Sequence, residues 1–297
     1  MARIENILCP IDFSDGSRRA LDHALAIAHW YNAAATALHV TPPLSLAPYI
    51  DPRVHPLPVA RTPEDLENLR LQLALFVEQE KGDFSIASVV KEGLIAGEII
   101  GLAETNRADM VVMGTHGRSG FQRLILGSVT ESVLRHSPSP VLTVPPHAAD
   151  AVPVGPRLFR RILCAVDFSP CSLKALEYAS ALADQGDASL TVLHVYEPIA
   201  DHVAVTTGDV GNKIFGAAAE RYLHELVAER LPGRGHVTQT LTIGKSGPEI
   251  LRVADGEGID LLVLGVTGRG AADVIWFGST AHHVVRRATC PVLTLRG

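Results

Sequence analysis

The chain is written twice. "NILCPIDFSDGSRRALDHALAIA" starts at Asn6 and "RILCAVDFSPCSLKALEYASALA" at Arg161. Cys9, Asp12, Phe13, Ser14, Ser17, Ala20 and Leu21 recur as Cys164, Asp167, Phe168, Ser169, Ser172, Ala175 and Leu176, always 155 residues later. "ALHV", ending at Val40, returns at the same offset as "VLHV", ending at Val195. "GEII" from Gly97 and "SPVLTV" from Ser139 return as "PEIL" from Pro248 and "CPVLTL" from Cys290, now 151 residues later, so the second copy has lost four residues in between. Repeats of this length are a tandem duplication of one domain and not a short-period solenoid. The expected division is residues 1–147, a linker at 148–158 that overlaps the Pro- and Ala-rich junction "PPHAADAVPVGPR" (145–157), and residues 159–297.

Whatever one copy folds into, the other must fold into as well. In the first copy "NILCPI", "ATALHV", "FSIASVV", "DMVVMG" and "PVLTV" are continuous apolar runs. Helical patterns separate them. "GSRRALDHALAIAHWY" carries Leu21, Ala24, Leu25 and Ala28 on one helical face. "TPEDLENLRLQLALFVEQE" opens with a Thr cap, a proline and first-turn acids. Strand–helix alternation with apolar rather than alternating strands predicts a parallel sheet covered on both faces. Each copy is expected to be a five-stranded, doubly wound α/β domain of Rossmann-like type. The stretch 42–61 is a long Pro-rich loop that reads as a flap or a partner contact, with nothing in the sequence to decide between them.

In such sheets ligands sit beyond the carboxyl ends of the strands. Two repeated features fall there. Asp12 and Asp167 end the first strands. "GTHGRSGFQRLILGS" and "GVTGRGAADVIWFGS" leave the fourth strands with a common GxxGx9GS spacing, through Gly114, Gly117, Gly127 and Ser128 and through Gly265, Gly268, Gly278 and Ser279. Glycines let the backbone approach a ligand closely, and successive amides form an anion-binding concavity. The Gly-Ser pair opens a helix whose first N–H groups are free for an anion. The aspartate accepts hydrogen bonds from ribose hydroxyls. Phosphate cradle and carboxylate together suit a nucleotide.

Other features carry less. With 26 basic against 32 acidic residues and a formal charge of −6, a broad nucleic-acid surface is not expected. Cys9, Cys164, Cys171 and Cys290 form no metal-ligand spacing and read as buried thiols. "GKS" at 244–246 lacks the earlier P-loop glycine and reads as a turn before a helix. His39 and His194 read as structural strand-end histidines, and adjacent His282 and His283 make a poor metal pair. No apolar run approaches a membrane span and no signal segment is evident, so the expected location is the cytoplasm.

Both copies resemble universal stress protein domains, and the whole resembles a tandem universal stress protein of the ATP-binding branch. The resemblance spans almost the entire chain and rests on the glycine pattern and the first-strand aspartates. It implies an adenine nucleotide alpha hydrolase-like sheet in the order 3-2-1-4-5. It also implies ATP with Mg²⁺ as the ligand, bound for regulation in a stress response, with slow hydrolysis or a scaffold role as alternatives. By position, Asp12, Val40, Gly114, Gly117, Arg118, Gly127, Ser128 and Val129 would form one site. Asp167, Val195, Gly265, Gly268, Arg269, Gly278, Ser279 and Thr280 would form the other. No residue stands out as catalytic or as a metal ligand. The second loop replaces His116, Gln122, Arg123 and Val129 by Thr267, Asp273, Val274 and Thr280, which predicts weaker binding there. The resemblance further implies pairing of the two halves through the last strands, "VLTV" and "VLTL", and leaves room for a homodimer.

Overall fold

A computed structural model describes residues 4–45, 58–59, 61–79, 84–117, 126–146, 148, 158–198, 208–266 and 277–296. The first copy runs β1 (Asn6–Pro10), α1 (Asp15–Tyr31), β2 (Ala34–Thr41), a short ribbon of β3 (Leu44–Ser45) and β4 (Pro58–Val59), α2 (Pro63–Glu78), β5 (Ile86–Glu92), α3 (Ile95–Thr105), β6 (Met110–Gly114), α4 (Ser128–His136) and β7 (Val141–Val144). The second runs β8 (Arg161–Ala165), α5 (Pro170–Gly186), β9 (Ser189–Tyr196), α6 (Gly208–Arg230), β10 (Val237–Ile243), α7 (Ser246–Glu257), β11 (Leu261–Gly265), α8 (Ser279–Arg287) and β12 (Val292–Leu295). The ribbon had no sequence signal, and the "GKS" turn leads into α7 as expected.

One ten-stranded sheet results, in the order β10-β9-β8-β11-β12-β7-β6-β1-β2-β5. Within each copy this is the expected 3-2-1-4-5 order, with parallel pairing throughout. Where the copies meet, β12 and β7 pair antiparallel, Val292 opposite Thr143 and Thr294 opposite Val141. Strands with both faces buried need continuous apolar runs. Leu142, Leu163, Cys164, Leu261, Val263 and Leu293 are accordingly inaccessible or nearly so. One face is covered by α1, α2, α5 and α6, the other by α3, α4, α7 and α8. On the first face the core crosses from one copy into the other, where Ile27, Trp30 and Tyr31 meet Phe159, Leu182 and Leu293 around a minute cavity. The Tyr31 hydroxyl also bonds to Gln185 Oε1.

The first helix of each copy shows why the repeat reproduces itself. Ser14 and Ser169 are the N-caps, accepting from the amides of Ser17 and Ser172. Asn32 and Asp187 end the helices in the left-handed region, at φ 51° and 50°. Asn and Asp tolerate that region better than most side chains. All four cysteines are unpaired and buried. Burial pushes the Cys9 and Cys164 thiols well above the ordinary range. Among the described residues no helix is long and apolar enough to cross a membrane.

Candidate functional site

The turn after β1 is strained in both copies. Phe13 and Phe168 each sit at φ 63°, a region that bulky residues avoid. Such strain costs on the order of 1–3 kcal/mol and persists only where surroundings impose it. Here a histidine does so. His39 Nδ1 lies 2.8 Å from the Ile11 carbonyl, with its ring 4.5 Å from that of Phe13. His194 repeats this with Val166 and Phe168, at 2.7 and 4.5 Å. Both histidines brace this turn, and His39 also lines the cleft described below. What they hold in place is the aspartate one residue before the phenylalanine.

Asp12 is not the helix cap; Ser14 is. Asp12 Oδ1 accepts from the Ser14 amide at 3.1 Å and from its hydroxyl at 2.5 Å. Its other oxygen faces the glycine loop: a Cβ on Gly117 would lie 2.6 Å from Asp12 Oδ2. Gly114 is as tightly placed, since its Cβ would meet the Gly16 backbone at 3.0 Å. The Gly127 amide bonds to the Thr115 carbonyl at 3.0 Å and the Thr130 hydroxyl to the Gly114 carbonyl at 3.0 Å, closing the base of the loop. Helix α4 then starts at Ser128 with no side chain capping its amides. Asp12, Val40, Gly114, Gly117, Gly127, Ser128 and Val129 all line one cleft of about 460 Å³. Arg118 lies outside the described residues.

A further wall of this cleft was not foreseen from the sequence. Arg61, at the end of the Pro-rich stretch, lines it together with Ile95 and Ile99 of α3. Its backbone amide is held by Glu92 Oε2 at 3.2 Å, while its Nε is buried with no hydrogen-bond partner among the described residues. Nothing in the local sequence marks it. The cleft therefore holds a carboxylate on one wall and a guanidinium on another, with apolar surface between them.

The second copy keeps the frame and alters one contact. Asp167 Oδ1 accepts from the Ser169 amide at 3.0 Å, and the Gly278 amide bonds to the Val266 carbonyl at 2.7 Å. Helix α8 also starts without a side-chain cap, at Ser279 followed by Thr280. Val195 is buried at the end of β9, as Val40 is in β2. Gly268 and Arg269 lie outside the described residues, as do Thr267, Asp273 and Val274. The altered contact is at Cys171, which replaces Gly16. In the first copy a Cβ on Gly16 would lie 2.8 Å from the His116 carbonyl. In the second copy that side chain exists, and its Sγ bonds to the Leu295 carbonyl at 3.1 Å. A side chain therefore stands in the second copy where the first has only a hydrogen beside its glycine loop.

Comparison with known proteins supplies the family. The model of the universal stress protein family matches twice, over residues 3–145 and 158–296. A universal stress protein of Mycolicibacterium smegmatis is 26% identical over 298 aligned residues, covering 98% of this chain and 96% of its own. One from Thermus aquaticus is 35% identical over 139 residues, 47% of this chain and all of its own. The crystal structure of a universal stress protein from Archaeoglobus fulgidus superposes with a TM-score of 0.68 at 26% identity, covering 98% of each chain. The chain belongs to the universal stress protein family and carries that family's unit twice.

Proposed function

We propose that the chain is a nucleotide-binding regulatory protein of the stress response, and that its first copy holds ATP with Mg²⁺ in the cleft of Asp12 and Gly117. The observation that carries this reading is the contact between those two residues. Gly117 lets the loop backbone come against a carboxylate where any side chain would collide with it, at the mouth of an uncapped helix. That donor set suits the ligand: loop amides and the start of α4 for phosphate, Asp12 for ribose hydroxyls, and the backbone at Val40 for the base. Arg61 adds a charged donor on the far wall. Mg²⁺ would offset phosphate charge beside Asp12. Hydrolysis is the weaker reading, because neither loop motif carries a Walker lysine or an evident general base.

For the second copy we propose weaker binding, in the limit a scaffold role, on the strength of Cys171 and of Asp273 in the loop sequence. We also propose that β7 and β12 pair within one chain, leaving no last strand free for a homodimer. Mass spectrometry of small molecules released on denaturation tests the main reading, together with a thermal melt in Mg-ATP. At about one hundred times its dissociation constant a single-site ligand adds ~2.7 kcal/mol. That corresponds to several degrees, at roughly 2–4 °C per kcal/mol. No co-purified nucleotide and no shift in millimolar Mg-ATP would end the proposal.

A further inference from the structure

On the sheet face away from α1 and α5, helices α4 and α8 line a shared cleft of about 620 Å³ across the junction of the two copies. Its charged and titratable wall is Glu131 and Arg135 from α4, and His282, His283, Arg286 and Arg287 from α8. Three arginines against one glutamate make it net positive even with neutral histidines, in a chain of formal charge −6. The repeat exposes an imbalance within it. Arg135 and Arg286 are equivalent positions. Arg135 is paired with Glu131, one turn earlier, at 2.5 Å. Where Glu131 stands in the first copy, the second has His282, so Arg286 has no carboxylate one turn back. Its Nε is buried with no hydrogen-bond partner among the described residues. His283 is held below the ordinary imidazole range, by burial first and then by Arg287, Arg286 and His282.

Cations in the last turn of a helix favour its C-terminal dipole, and Arg286 and Arg287 occupy that turn. The dipole accounts for the charge. It does not account for a donor shut away from water with no acceptor among the described residues, a bond that is costly when left unmade. We propose that this cleft binds a compact polyphosphate anion, free or as the tail of a nucleotide, with Arg286 as the central donor and Arg135 approaching from the other copy. A guanidinium fork matches two phosphate oxygens at once. Because its walls come from both copies, the bound anion joins α4 to α8. This site is separate from the cleft of Asp12 and Gly117 but takes in Ser279, counted above with the second copy's nucleotide site, and the proposal stands whether or not the first cleft holds ATP.

Titration calorimetry of the full-length chain with sodium tripolyphosphate, at about 0.1 M salt where screening is moderate, tests it. Saturable binding is expected. Arg286→Gln should weaken it by about tenfold or more, the loss expected for a charge-assisted bond. Arg286→Lys keeps the charge without the fork and should fall between the two. Glu131→Gln removes the one carboxylate and releases Arg135, so binding should tighten severalfold, a gain that damage to the fold cannot mimic. Repeating the series with ATP identifies the source. Weakening by Arg286→Gln toward both titrants means that the cleft takes nucleotide tails; weakening toward tripolyphosphate alone means a free anion. The proposal is overturned if the wild type does not bind millimolar tripolyphosphate. It is equally overturned if Arg286→Gln binds as tightly as the wild type, or if Glu131→Gln binds no tighter.

Discussion

A valine at position 117 would place its Cβ 2.6 Å from Asp12 Oδ2 and branch beyond it. The backbone there is not in the left-handed region, so the cost is one of space rather than of φ. The cheapest relief is for the Asp12 carboxylate to swing away, breaking its hold on Ser14 but leaving strands and core intact. Gly117→Val should therefore melt close to the wild type and lose Mg-ATP affinity by at least about tenfold, the equivalent of one charge-assisted hydrogen bond. Arg61→Gln should lose a similar amount with no loss of apo stability, since it removes a buried donor that has no acceptor among the described residues. Calorimetric titration beside a melting curve reads both. Unchanged affinity in Gly117→Val would reduce the loop to a turn, and in Arg61→Gln would leave the guanidinium a bystander. The two residues also mark what a sequence can show. Asp12 and Gly117 stand out as candidates in the sequence because each recurs in the second copy at its fixed offset, and the structure brings the two together. Arg61 follows a Pro-rich stretch with no recognisable counterpart, and only tertiary closure brings it to the cleft. The exchange of Gly16 for Cys171 lies in plain view of the alignment. Its meaning depends on a carbonyl 100 residues away, at His116, which no local pattern predicts.

At the scale of elements, strands and helices were legible to within a residue or two at most ends. Apolar continuity and capping chemistry are local, and both are written twice. The Thr62 cap was legible with its proline and first-turn acids, and the structure adds a reciprocal box with Asp65. The turn between β1 and α1 was not, because nothing in "DFS" announces a phenylalanine at positive φ. That turn couples stability to the site. Ser14 caps α1 and at the same time donates to Asp12 through its amide and its hydroxyl. Ser169 caps α5 in the same way, with Asp167 accepting from its amide. Ser14→Ala and Ser169→Ala should each cost about 1 kcal/mol, the usual value of a lost N-cap. Only Ser14→Ala should also weaken Mg-ATP by a measurable factor, because the first copy is the one proposed to hold the nucleotide and its Asp12 then loses the hydroxyl that orients it. Chemical denaturation gives the first quantity and calorimetry the second. Equal loss of nucleotide in both variants would mean that the two sites share the binding, against the weaker second copy proposed above.

At the scale of the molecule, the junction decides whether the chain behaves as two proteins or as one. Backbone pairing between β7 and β12 is reinforced by two buried threonines, Thr143 Oγ1 to the Val292 carbonyl and Thr294 Oγ1 to the Val141 carbonyl, both at 3.1 Å. Leu142 faces Leu293 in register, each 1% exposed or less. Around them the apolar core passes without a break from α1 to α5. Neither copy could unfold alone without exposing that shared surface, at roughly 25 cal/mol for each Å². Unfolding should therefore be a single transition, although a 297-residue chain with a repeated domain would ordinarily permit two. The sequence offers convenient reporters, since its two tryptophans, Trp30 and Trp276, fall one in each copy. Trp30→Phe and Trp276→Phe leave one emitter apiece, and their denaturation midpoints should coincide. Leu142→Ala, at the centre of the junction, should cost about 2–5 kcal/mol, as large-to-small changes in a tight core do. It should lower both midpoints together, because the lost packing belongs to both copies. Midpoints that separate in the parent variants, or a Leu142→Ala shift confined to Trp30, would show that the copies fold independently and that the ten-stranded sheet is two sheets in contact.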